Sequence, residues 1–308
     1  MRDSDNVGDS IFYPGWRPFE MEADGVQFSG VIGGSGPPLL LLHGFPETHI
    51  AWRRMAPALS REYSLVIPDL PGYGRSLILD RSERFTKRRA ARAVSSLMTA
   101  FGHKTFGVIG HDRGARIGYR LALDHPDRVR GFASLTVIPT LDALASVDHE
   151  FALKNFHWFL FAQPDDLAEH LLDLDPRGYL ERVLARMTEG RDFLKREATE
   201  AYHEAFSRPS VRQAIIEDYR SALREDLEHD RADRRDGRKL RCPVFVSWAE
   251  RGSRSDRGSP IEVWRRWADE VTGGATSGGH LQPEDAPDEV LAMLTPFLSK
   301  SFLPGWPA

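Results

Sequence analysis

Val108-Ile109-Gly110-His111-Asp112-Arg113-Gly114 is the stretch on which the reading of this chain turns. An apolar run ends at Gly110, a carboxylate follows two residues later, a second glycine stands two residues beyond that, and a helix is expected from about Ala115. Small residues on both sides permit a sharply turned strand-to-helix junction that lifts the central side chain clear of a sheet. That side chain is Asp112, neither serine nor cysteine, and the difference selects the chemistry. A carboxylate attacking an sp3 carbon forms a stable ester, so halide displacement or epoxide opening is feasible, whereas attack on an acyl group would give an anhydride. The competing reading is a buried aspartate that caps the next helix. A strand before it and glycines at both flanks favour the nucleophile.

Outward from this point the chain alternates. Leu39-Leu40-Leu41-Leu42, Leu65-Val66-Ile67, Thr105 to Ile109, Phe132 to Leu135 and Val244 to Trp248 are short, continuous apolar runs of the kind buried on both faces of a parallel sheet. Residues 86–101 read as a helix, with Phe85, Ala93, Leu97 and Phe101 along its apolar side. Phe19 to Glu22 and Val26 to Ile32, flanking Asp24-Gly25, predict a hairpin. Strands alternating with helices predict an α/β protein with a doubly wound, mostly parallel sheet. The alternation stops between 140 and 238, where aromatic-rich helical segments (Phe151 to Phe161, Tyr179 to Met187, Phe193 to Phe206, Val211 to Leu223) predict an inserted helical cap. The expected organisation is a loose arm over 1–16, core over 17–139, cap over 140–238 and core again over 239–308. The charged segment Glu225 to Arg241 is expected as the return linker, and Lys87-Arg88-Arg89 with Arg92 as a solvated helix face rather than a phosphate patch.

Composition narrows the function. The 308 residues include 41 Lys plus Arg and 45 Asp plus Glu, for a net charge of −4, without the basic excess expected of a bulk nucleic-acid binder. The single cysteine, Cys242, is expected as a small buried filler; it excludes an internal disulfide, and no CxxC pair exists for zinc. Leu39 to Leu42 falls far short of the ~20 apolar residues that span a bilayer. The polar start Met1-Arg2-Asp3-Ser4-Asp5-Asn6 lacks the apolar region of a secretory signal. The expectation is a cytoplasmic protein acting on a small molecule, without membrane or nucleic-acid partners, metal or cofactor.

Two further segments stand where the turn at Asp112 needs them. His43-Gly44-Phe45-Pro46 follows an apolar strand, so its backbone N–H groups can form an oxyanion hole with that of Arg113. His280, in Ser277-Gly278-Gly279-His280 after a short strand around Gly274 to Thr276, is the expected general base.

With these residues the chain resembles the haloacetate (fluoroacetate) dehalogenases of the α/β-hydrolase superfamily, from about residue 17 to 298. The matching segments include His43 to Thr48, Asp69 to Gly74, Gly110 to Arg116, His157-Trp158, Asp218-Tyr219-Arg220 and Gly278-Gly279-His280. The first two also occur in epoxide hydrolases and haloalkane dehalogenases; Asp112-Arg113 with Arg116, His157-Trp158 and Tyr219 is more specific. The resemblance implies that Arg113 and Arg116 bind the substrate carboxylate, that His157, Trp158 and Tyr219 hold the departing halide, that no cofactor is used and that the protein is a homodimer. Planar guanidinium forks suit a carboxylate, and imidazole, indole and phenol can all donate to a halide.

One position departs from the family. Where the family orients its histidine with an aspartate in a Leu-Asp-x-x-Pro-Thr segment, this chain reads Leu135-Thr136-Val137-Ile138-Pro139-Thr140. Thr136 could accept a hydrogen bond from the imidazole but cannot stabilise imidazolium by charge, and neutralising the comparable acid of a protease triad costs about 10⁴-fold in rate. Three explanations stay open: replacement by Glu250 or Asp256, a slow second half-reaction with His280 unaided, or loss of turnover. The expected activity is hydrolytic dehalogenation of short 2-halocarboxylic acids. Its rivals are an epoxide hydrolase, which would protonate the ring oxygen with two of Tyr179, Tyr202 and Tyr219, and a ligand-binding module without turnover.

Overall fold

The computed structural model describes residues 11–250 and 259–302. Its sheet comprises β1 (Arg17–Ala23), β2 (Val26–Gly33), β3 (Pro38–Leu42), β4 (Ser64–Pro68), β5 (Leu77–Ile78), β6 (Phe106–His111), β7 (Val129–Leu135), β8 (Val244–Ala249) and β9 (Val271–Thr276). The order is β1-β2-β4-β3-β6-β7-β8-β9, with β5 on β2. β1 and β2 form the expected hairpin, β2 pairs antiparallel with β4, and β3 onward is parallel. The apolar runs are continuous because each face has its own core. Leu40, Leu42 and Val108 enter the cluster beneath the cap, while Leu39, Leu41 and Ile109 enter the cluster on the opposite face.

Helix α1 (Ala56–Leu59) follows β3 and precedes β4, and α2 (Lys87–Ala100) starts at Thr86, whose side chain accepts from Arg89 N–H. Helix α3 (Arg113–Asp124) leaves directly from Asp112, whose φ of 46° and ψ of −113° place a non-glycine residue in a strained conformation costing ~1–3 kcal/mol. The flanking glycines make this turn possible. A Cβ on Gly110 would lie 2.5 Å from Ala115 Cα, and one on Gly114 would collide with the carbonyl oxygens of Leu42 and His43.

The predicted insertion lies between β7 and β8 and consists of α4 (Thr140–Ala145), α5 (His149–Lys154), α6 (Phe156–Phe161), α7 (Leu167–Leu174), α8 (Pro176–Met187), α9 (Arg196–Ser207), α10 (Pro209–Ala222) and α11 (Glu225–Arg235). Trp158, Phe161 and Tyr219 share one apolar cluster with Phe45 and Leu42, so the cap packs onto the carboxyl ends of the strands. Helices α12 (Pro260–Trp264), α13 (Gln282–Asp285) and α14 (Pro287–Phe302) complete the core.

Several expectations are corrected. The segment expected as one helix over 151–161 is broken at Asn155, and α7 had no separate signal. The charged stretch from 225 is a helix rather than a linker: Asp226, Asp230 and Asp233 form one buried face, supplied with donors by Lys87 N–H, Tyr119 and Arg120. The basic cluster is a solvated face only at Arg88 and Arg92, since Lys87 and Arg89 are 2% and 4% exposed. Nor are residues 11–16 loose. Tyr13 is buried, and its hydroxyl donates to His49 O at 2.6 Å. Cys242 is buried, and burial pushes its thiol up to about 12. No helix among the described residues is long and apolar enough to cross a membrane.

Gly114→Ala is therefore expected to destabilise the protein by about 3 kcal/mol or more, because the added methyl meets backbone that cannot rotate away. Urea unfolding checks this; an unchanged midpoint would remove the steric account of the turn.

Candidate active site

Asp112 is held at both oxygens. Oδ1 accepts from Phe45 N–H at 3.0 Å, and Oδ2 lies 3.6 Å from His280 Nε2. Burial alone would push this carboxyl up. The hydrogen bond and charge of His280, then the charges of Arg113 and His111, outweigh it and hold Asp112 well below the ordinary carboxylate range. The group is thus ionised in a dry site. Arg113 opens α3, so its N–H belongs to the first turn, which has no intrahelical acceptor.

The arginine side chains are partly committed. Arg113 gives Nε to Asp218 Oδ2 at 2.6 Å and Nη2 to Asp218 O at 2.9 Å, and stacks over Tyr219 with Cζ 4.1 Å from the ring centroid. Its Nη1 is buried without a partner. The expectation of a free fork at Arg113 is corrected to a single free nitrogen. Arg116 is anchored through Nη1, to Thr140 Oγ1 at 2.7 Å, and stacks over Trp158 at 4.7 Å; its Nε is also buried without a partner. Burial and repulsion from Arg113 lower the Arg116 pKa. Asp218 does not neutralise this pair fully, because it also binds the buried ammonium of Lys87 and the hydroxyl of Tyr73. Two guanidinium groups thus act on Asp112 by charge, each with a buried N–H lacking an acceptor.

From the cap, His157 stacks on Phe45 with centroids 5.7 Å apart, and Tyr219 lies edge-on to His157, Trp158 and Phe45. None of His157, Trp158 and Tyr219 hydrogen-bonds through its side chain to another described residue. Burial lowers His157 to about 4 and raises the Tyr219 phenol well above its usual range, so both stay neutral near pH 7, with an N–H and an O–H to donate. The structure therefore brings Asp112, Arg113, Arg116, His157, Trp158, Tyr219, Phe45 and His280 together beneath the cap.

The acid positions differ. Thr136 sits at the end of β7 with φ 70°, a left-handed conformation unfavourable to a β-branched residue, and its Oγ1 is buried without a partner. It does not make the hydrogen bond to His280 that a threonine there could accept. Glu250 is exposed at the end of β8, its N–H bound to Thr276 O, and its carboxylate does not reach His280. Asp256 lies outside the described residues. Among the described residues, no carboxylate other than Asp112 pairs with His280. Support for the loop comes instead from His111, with Nδ1 on Glu47 Oε2 and Nε2 on His280 O, both at 2.8 Å.

A family model for the alpha/beta hydrolase fold matches residues 37–282. The chain belongs to the α/β-hydrolases. A fluoroacetate dehalogenase from Burkholderia sp. is 34% identical over 291 residues, covering 93% of this chain and 95% of its own. A soluble epoxide hydrolase from Corynebacterium sp. (strain C12) is 33% identical over 272 residues, covering 87% and 92%. A Pseudomonas aeruginosa structure, provisionally named an epoxide hydrolase, has a TM-score of 0.91 at 48% identity and covers 94% of this chain and 97% of that one. A threonine-to-aspartate variant of it was solved with bound MFA.

In this α/β-hydrolase, Asp218, Lys87 and Tyr73 are the neighbours of the site to which sequence reasoning gave no role. Asp218 adjoins Tyr219 in a matching segment, and that adjacency was the available signal. Lys87, at the start of α2, carried none. A cavity of about 860 Å3 lined by Val129, Cys242, Val244 and Phe297 lies at the amino ends of β7 and β8, the far end of the sheet from Asp112, and contains none of these groups. Asp218→Asn is expected to cost about 3 kcal/mol by leaving Lys87 and Arg113 without their shared anion. Chemical denaturation alongside Lys87→Met tests it, and an unchanged stability would contradict the shared-anion account.

Proposed function

We propose that this α/β-hydrolase cleaves the carbon–halogen bond of short 2-halocarboxylic acids such as fluoroacetate or chloroacetate. The observation that carries this reading is the pair of buried, acceptorless guanidinium nitrogens, Arg113 Nη1 and Arg116 Nε, beside an ionised Asp112. They supply the positive charge that a substrate carboxylate needs in order to approach a second carboxylate. A neutral epoxide has no use for it.

Phe45 N–H already holds Oδ1, so Oδ2 attacks the halogen-bearing carbon. The carbon–halogen bond breaks with its electron pair, and the halide departs toward His157, Trp158 and Tyr219, which stabilise it by hydrogen bonds in a water-poor pocket. Ester formation leaves Oδ1 as the carbonyl oxygen, on the donor that must hold the oxyanion in the next step. His280 then takes a proton from water as hydroxide adds to the Asp112 carboxyl carbon; the carbon–Oδ2 bond breaks, the departing alkoxide takes the proton from His280 to become the 2-hydroxy acid, and the Asp112 carboxyl gives its proton to solvent as the carboxylate is regenerated. With Thr136 lacking charge and no described carboxylate but Asp112 at His280, our reading makes this second step the slow one, and Asp256 is the remaining replacement candidate.

The epoxide reading keeps one specific support. The Tyr179 hydroxyl is buried without a partner, and Tyr179 and Tyr219 both pack on Phe161. Tyr202 is removed from the candidates, because its hydroxyl donates to Glu284 Oε1 at 2.5 Å.

Halide release from chloroacetate and fluoroacetate, followed with intact mass spectra, tests the proposal. Wild type is expected to release halide and to accumulate a carboxymethyl ester on Asp112; Asp112→Asn should release none, and undiminished release would sink the scheme. His280→Ala should trap the ester completely. Thr136→Asp is expected to speed ester hydrolysis by about 10²-fold or more, since aspartate tolerates the left-handed backbone better than threonine and restores a charge near the imidazole. Turnover of a neutral epoxide with no halide release would select the rival.

A further inference from the structure

Arg116 is the less encumbered of the two arginines, and a chain of hydrogen bonds runs from it into the protein interior. Its Nη1 donates to Thr140 Oγ1 at 2.7 Å; Tyr119 Oη lies 3.1 Å from Thr140 Oγ1 and 2.9 Å from Asp230 Oδ2. Asp230 Oδ2 also accepts from Leu141 N–H at 3.1 Å. All four side chains are buried.

The sense of donation follows from the donor inventory. A carboxylate only accepts, and Tyr119 has one hydroxyl hydrogen, so Tyr119 donates to Asp230. Thr140 then donates to Tyr119, which leaves its lone pairs turned to Arg116. Asp230 has no close counter-ion of its own. Arg120 Nη1 is 4.0 Å from Asp230 Oδ1 but 2.5 Å from Asp233 Oδ2. Burial pushes the Asp230 carboxyl up to about 6, against the pull of Tyr119, Leu141 N–H and Arg120. A carboxylate kept ionised at this cost near pH 7 is poor design for stability alone.

The placement is equally pointed. Thr140 and Leu141 are where the chain enters the cap at the start of α4, and Asp230 lies on α11, by which the chain returns from it. One carboxylate thus ties both crossings between core and cap, and through Tyr119 and Thr140 it fixes the guanidinium that faces the nucleophile. We propose that Asp230, acting through Tyr119 and Thr140, is a positioning residue that orients Arg116 for the substrate carboxylate, so that the affinity of the site for an anion depends on how the cap crossings are seated. This rests on the haloacid reading, in which Arg116 meets a carboxylate.

The test is the rate of Asp112 ester formation against chloroacetate concentration, read by intact mass, which works even where ester hydrolysis is slow. It gives a half-saturation concentration and a limiting rate. Tyr119→Phe and Asp230→Asn are expected to raise the half-saturation concentration about tenfold, with the limiting rate within about threefold and the melting temperature near that of wild type. In an Arg116→Met background, Tyr119→Phe should add no further effect, because its action passes through Arg116. If Arg116→Met alone leaves half-saturation unchanged, the haloacid reading fails. If Arg116→Met raises it while Tyr119→Phe and Asp230→Asn do not, the reading stands and the positioning role is overturned. A limiting rate and melting temperature that fall together with affinity would make the chain a general structural support and also overturn it.

Discussion

Asp112 is buried and ionised, and neither condition holds without the neighbours that answer it. Removing a carboxylate from water costs several kcal/mol unless donors and positive charge replace the solvent. Phe45 N–H, His280 and Arg113 supply them, and each comes from a different part of the chain: the loop after β3, the loop after β9 and the first turn of α3. The strained backbone at Asp112 is the second half of the same constraint. It aims the carboxylate away from the sheet, and the two glycines let the helix start directly against the end of β3.

Positive charge brought to such a site has to be restrained, or it would collapse onto Asp112 and block the attack. Asp218 takes two of the Arg113 nitrogens, Thr140 takes one of Arg116, and Tyr219 and Trp158 cover the guanidinium faces. All four come from the inserted helices. The cap is therefore more than a lid over the pocket. Its acids and rings decide which arginine nitrogens remain for a ligand. Lys87 extends this from the core side by sharing Asp218, so the acid holds Arg113 in place without cancelling the local positive charge.

The parts legible in the sequence are those encoded by neighbours in the chain. The turn at Asp112 was legible because a strand, two glycines and a helix start fall within ten residues. The parallel strands were legible because burial on both faces removes polar residues from them. The side chains that divide the arginine forks were not, because Asp218 is 105 residues from Arg113 and a carboxylate beside a cap aromatic is read as solvated. The acidic face of α11 misled for the same reason: its charge pattern resembles a linker until Lys87 N–H, Tyr119 and Arg120 are known to lie against it. Thr136 was legible as a missing acid, but not its left-handed backbone, which depends on how β7 ends against β8.

That last residue separates the two halves of the proposed reaction. Ester formation draws on Asp112, the arginines and the cap donors, all held by α3 and the inserted helices. Ester hydrolysis draws on His280 and whatever charges its imidazole, held by the loops after β7, β8 and β9. Glu47 and His111 keep the backbone of His280 in place, yet their link is to its carbonyl oxygen, and among the described residues no acid other than Asp112 pairs with the ring. The two sets share only Asp112 and the oxyanion donors. Threonine at position 136 therefore weakens the proposed hydrolysis without touching the groups that would bind an anion and receive a halide, and the first half-reaction can persist in full on a scaffold whose second half is slow.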